Sequence, residues 1–87
     1  MSKLEHLIKQ ANQIGAFFDA LPDRAEALES IANHVVKFWA PSLRHTMLEF
    51  LEQHPDGKAE NAALSAISLQ ALTIYREKIR PHSCAAH

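Results

Sequence analysis

An 87-residue chain with 47% apolar residues, two glycines and one cysteine has room for one core and no second folding unit, and its Leu- and Ala-rich make-up favours helices over sheet. Nine basic and ten acidic side chains, interspersed to a net charge of −1, exclude the basic stripe that nucleic acid binding requires. The lone Cys84 excludes an internal disulfide, so a core that supplies only about 3–5 kcal/mol leaves a partner protein as the remaining candidate stabiliser.

In chain order, Leu4, Leu7, Ile8, Ala11, Ile14, Phe18 and Leu21 recur at spacings of three and four, which predicts a first helix from Lys3 to about Leu21. Ser2 and Glu5 stand at capping-box spacing at its start, and Pro22 ends it. Asp23 and Glu26 repeat that spacing ahead of a second stripe, Ala25, Leu28, Ile31, Ala32, Val35 and Trp39, so a second helix runs from about Arg24 to Phe38 or Trp39. Pro41 breaks the chain and suits the first position of a third helix, Pro41 to about Gln53, with Leu43, Met47, Phe50 and Leu51 inward. His54-Pro55-Asp56-Gly57 reads as a turn. A last helix is predicted from between Lys58 and Asn61 to about Ile79, with Leu64, Ile67, Ala71, Ile74 and Tyr75 on its stripe and Leu69 and Leu72 off its centre. Pro81 stops it, and residues 82–87 read as a frayed, disordered tail.

The expected architecture is therefore all-α: one small four-helix, bundle-like domain over residues 1–81 with short Pro-marked connections. No run approaches the roughly 18 apolar residues of a membrane span, and the first residues lack the apolar core of a signal peptide, so a cytoplasmic location is expected and no membrane contact.

Reaction chemistry finds little support. Among six histidines, His34, His45 and His54 include no pair at the i, i+4 spacing of a helical zinc site, so no metal is expected. The tail His82-Ser83-Cys84-Ala85-Ala86-His87 gathers two imidazoles and a thiol, but an unbraced terminus preorganises a site poorly. Gly15 and Gly57 are isolated, so no glycine-rich loop cradles phosphate, and no nucleophile has an oriented base. No catalytic residue is assigned.

Two phrases remain: Ala11-Asn12-Gln13-Ile14-Gly15-Ala16-Phe17-Phe18 and Ile31-Ala32-Asn33-His34-Val35-Val36-Lys37-Phe38-Trp39-Ala40-Pro41. On a helical wheel Gln13 and Phe17 lie one turn apart beside the first stripe, and His34 and Phe38 do the same on the second helix. Either the two rings widen a buried arc, or they form a surface for another protein, where aromatic side chains and Arg are enriched. Trp39 fits a core ring that locks the corner before Pro41, and Lys37 and Arg44 flank that corner, placed to grip a partner's carboxylates. Gly15 in mid-helix costs about 1 kcal/mol against alanine, which points to close approach by the second or last helix.

These phrases, with Pro22-Asp23, Glu26-Ala27 and Phe38-Trp39-Ala40-Pro41 in order between Leu7 and about Leu51, resemble the delta subunit of the cytosolic NAD-dependent, molybdenum-containing formate dehydrogenase. The chain departs from the family pattern after Trp39, where it runs Pro41-Ser42-Leu43-Arg44. The resemblance implies a non-catalytic small subunit without a cofactor of its own. Its partner is then an alpha subunit that carries bis-molybdopterin guanine dinucleotide and iron–sulfur clusters, accompanied by beta and gamma subunits with FMN, further clusters and the NAD site. It further implies a role in complex stability or in insertion and retention of the molybdenum cofactor. Joined to the wheel, it assigns Asn12, Gln13, Phe17, His34, Lys37, Phe38, Trp39, Pro41 and Arg44 to partner binding. Two alternatives stand beside it. One is a chaperone that binds the cofactor or a nucleotide through His34, Lys37, Arg44 and His45, and the other is a helical module that self-associates as a homodimer.

Overall fold

A computed structural model describes residues 3–81, which carry five helices: α1 (Lys3–Phe18), α2 (Arg24–Phe38), α3 (Pro41–Gln53), α4 (Ala66–Ile74) and α5 (Arg76–Ile79). The all-α architecture expected from the sequence is present. The predicted Ser2 cap and the 82–87 tail lie outside the described residues.

Local chemistry explains the first three helices. α1 ends at Phe18, three residues short of the predicted end, and Leu21 N–H closes a turn onto the Phe18 carbonyl. Asp23 caps α2, its carboxylate accepting from the amides of Ala25 (2.9 Å) and Glu26 (3.4 Å), which satisfies two of the four free N–H groups at a helix start. Ala40 takes extended dihedrals ahead of Pro41, which opens α3 at its first turn, where proline forfeits no helical hydrogen bond.

The last third differs from the prediction. The helix expected from residues 58–61 begins only at Ala66, because residues 57–64 fold into a tight reversal: Ala59 N–H donates to Ala62 O (2.7 Å) and Leu64 N–H to Gly57 O (2.9 Å). Gly57, at φ 71°, supplies the left-handed geometry that this reversal needs. The helix also breaks once at Tyr75 (φ −101°, ψ 22°) before resuming as α5. Ile74, predicted inward, is 57% exposed, while Leu72, predicted off-centre, is fully buried. The break re-phases the apolar face, so Ile79 and not Ile74 reaches the core. Ala25, assigned to the α2 stripe, is exposed as well.

α4 packs across both α1 and α2, and α3 packs against α1. One apolar cluster centres on Ile8, Val35, Met47 and Leu72 and the other on Leu28, Ile31 and Ile67, with Ile14 and Tyr75 touching both. Among the described residues no helix is long and apolar enough to cross a membrane.

Candidate functional site

The site starts from what α1 and α2 do with their aromatic residues. Successive residues of a helix point about 100° apart. With Ala11 and Gly15 buried and Phe18 half-buried on the core side, Phe17 is therefore turned outward. On α2 the buried set Ala27, Leu28, Ile31, Ala32 and Val35 likewise leaves Phe38 on the outer side. Phe17 is 75% and Phe38 66% exposed, so the two rings do not widen the buried arc.

The rings are linked across the two helices. Phe17 meets Phe18 edge-on with ring centroids 5.0 Å apart, Phe18 reaches the His34 imidazole at 6.2 Å, and His34 lies against Phe38 at 4.6 Å. Lys37 Nζ stands 5.9 Å from the centre of the Phe38 ring, within the range of a cation–π contact. Phe18 also packs against Leu28 and Ile31, which anchors the middle of the strip while its two ends stay in water. The result is an aromatic strip held in place by i, i+4 and interhelical contacts, with Gln13 exposed one turn before Phe17. A rigid aromatic row loses little conformational entropy when it is covered, which is the property of a binding anchor.

The other residues assigned to partner binding occupy different settings. Asn12 is turned toward the chain's own backbone: its Nδ2 donates to Ala63 O (2.9 Å) and its Oδ1 accepts from Ser65 N–H (2.7 Å). The buried Ser68 hydroxyl adds a bond to Ala11 O (2.8 Å). Gly15 faces the same segment, since a Cβ there would collide with Ser68 Oγ and stand 3.1 Å from Ile67 Cγ2, which makes α4 the close neighbour. The phrase at 11–18 therefore divides in two: Asn12 and Gly15 hold the start of α4, and Gln13 and Phe17 face solvent.

Trp39, 8% exposed, joins the core at the α2–α3 corner, and Pro41 is exposed on its far side. Arg44 Nη1 donates to the Ile79 carbonyl (3.2 Å), satisfying an acceptor at the end of α5. Its Nε is buried with no hydrogen-bond partner among the described residues. His45 lies 4.0 Å from Glu49 on the exposed face of α3. Of the four groups that a nucleotide or pterin cofactor would call on, Arg44 and His45 thus contact this chain's own groups, and Lys37 and His34 sit in the aromatic strip. Among the described residues no cluster of three or more His, Cys, Asp or Glu is placed to hold a metal ion. The sequence missed the interhelical link through Phe18. Its place on the α1 stripe hid its second role, and only the pairing of α1 with α2 reveals it.

Compared with known proteins, the chain matches the sequence model of the family described as NADH-dependant formate dehydrogenase delta subunit FdsD over residues 6–72. That stretch runs from the first turn of α1 into α4, well past the Leu7 to Leu51 segment that carried the resemblance. Neither the curated proteins nor the solved structures compared with it give a match.

Proposed function

On the premise that this chain belongs to the formate dehydrogenase delta-subunit family FdsD, we propose that it is a non-catalytic subunit that docks on the alpha subunit through the Phe17–Phe18–His34–Phe38 strip. In this reading formate oxidation and its cofactors, the bis-molybdopterin guanine dinucleotide, iron–sulfur clusters, FMN and NAD, belong to the alpha, beta and gamma subunits. This chain supports complex stability, or the insertion and retention of the molybdenum cofactor.

The exposure of Phe17 and Phe38 on an otherwise closed core carries the proposal. Two large rings in water, fixed edge-to-face and over an imidazole, are the side chains most apt to become interface anchors, with Lys37 and Gln13 as the polar rim. Docking adds stability to whichever state of the partner it prefers, so a preference for the cofactor-loaded state amounts to cofactor retention.

Titration of the alpha subunit with this chain and with its Phe17→Ala/Phe38→Ala variant tests the assignment. Both rings are exposed, so the variant keeps its fold, with a stability change within about 0.5 kcal/mol per site. Its Kd rises about 30-fold, the equivalent of about 2 kcal/mol for two anchor residues. Equal affinity of the folded variant contradicts the proposed face. A dimer of the free chain that the same substitutions dissolve assigns the strip to self-association instead.

A further inference from the structure

A second surface is left unpartnered, built from α3, Pro55, α4 and α5 and sharing no residue with the aromatic strip. Between α3 and α5 lies a cavity of about 450 Å³ whose floor is formed by Leu48, Leu51 and Leu72. On the other side of Thr73, a shallower depression is lined by Leu69 and the 57%-exposed Ile74. Pro55 and Thr73 line both depressions, so the two form one apolar face along α4. Contiguous apolar surface of this kind marks an interaction site more often than scattered exposed residues do.

The charges at its edge say what would cover it. Glu52 stands on the α3 wall and Arg76 on the α5 wall. Arg80 is already paired with Glu77 at 3.3 Å, but among the described residues neither Glu52 nor Arg76 has an ion-pair partner. A small molecule filling the cavity would leave Ile74 and Leu69 bare beyond Thr73. The face is built from helices, with no open strand edge among its described residues, so an extended peptide would find no backbone to pair with. A helix, about 10 Å across with an apolar ridge at i, i+3, i+4 and i+7, can span both depressions.

We infer that this face docks an amphipathic helix from another subunit of the complex. That helix carries a carboxylate on the Arg76 side of its apolar stripe and a basic residue on the Glu52 side. The site is additional to the aromatic strip and makes the chain a two-sided connector. Ile74 and Arg76 lie past residue 72, beyond the stretch that the family match covers, so the pairing is a property of this chain.

A photo-reactive phenylalanine analogue placed at Thr73, and separately at Gln13, in the assembled complex provides the test, with adducts identified by peptide mass. At Thr73 the expected adduct is a helical segment of another subunit with the stated charge pattern. Ile74→Glu lowers its yield about tenfold or more, and Arg76→Glu lowers it unless the facing carboxylate is replaced by lysine. Adducts at Gln13 with none at Thr73 overturn this inference and leave the aromatic docking intact. Adducts at Thr73 with none at Gln13 do the reverse, and none at either site overturns both. An adduct to a second copy of this chain, or to a segment without the apolar and charged pattern, also overturns it.

Discussion

Replacing Gly15 by alanine pits two opposed effects against each other, and the structure decides the sign. In an isolated helix the change is worth about 1 kcal/mol in favour of alanine. Here the new Cβ would run into the Ser68 hydroxyl and press on Ile67 at 3.1 Å. Ser68 is fully buried, donates to Ala11 O at 2.8 Å and accepts from Ser65 Oγ at 3.0 Å. Rotating that hydroxyl away strands a buried polar group and an acceptor, at about 1–3 kcal/mol, and any separation of α1 from α4 adds to this. We expect Gly15→Ala to cost about 1–2 kcal/mol net, a fall of roughly 5–10 °C in Tm for a domain of this size. Ser68→Ala also destabilises, but it removes the obstructing atom. In that background Gly15→Ala should be neutral or stabilising by up to about 1 kcal/mol, so that the two changes are far from additive. Urea unfolding of the four proteins reads the cycle directly. A Gly15→Ala protein more stable than the parent, or additive changes, would refute the helix-contact account of Gly15.

Asn12→Ala removes both bonds that tie α1 to residues 63 and 65. It is expected to cost about 1–3 kcal/mol in denaturant unfolding, while the folded variant binds the alpha subunit within about twofold of the parent, since its amide faces inward. Trp39→Ala empties a site only 8% exposed and should cost about 3–5 kcal/mol, read by the Tm of the isolated chain. Near-parent stability there would mean that the corner is not a packed part of the core.

How much of this was legible in the sequence followed the range of the interactions responsible. α2 and α3 are bounded by neighbours in the chain, Asp23 at one start and Pro41 at the other, so their limits could be read locally. α4 could not. Lys58 to Leu64 is a good helical stretch by composition, yet it reverses because Gly57 turns it and Asn12, 51 residues away, binds Ala63. Tertiary hydrogen bonds there override a weak local preference. The same contact separates Asn12 from Gln13, adjacent amides of similar chemistry, one buried in a clamp and one facing solvent. Phe17 and Phe38 were placed correctly beside their stripes by angle alone, but angle could not decide between an enlarged core and a free surface. That depended on whether α3 or α4 covered the α1–α2 flank, and both pack elsewhere.

The most direct measurement is an electron cryomicroscopy map of the assembled formate dehydrogenase with this subunit bound. The account predicts Phe17 and Phe38 both in van der Waals contact with the alpha subunit, with His34 still stacked against Phe38. A bound subunit whose two rings remain in solvent while another face makes the contact would contradict it.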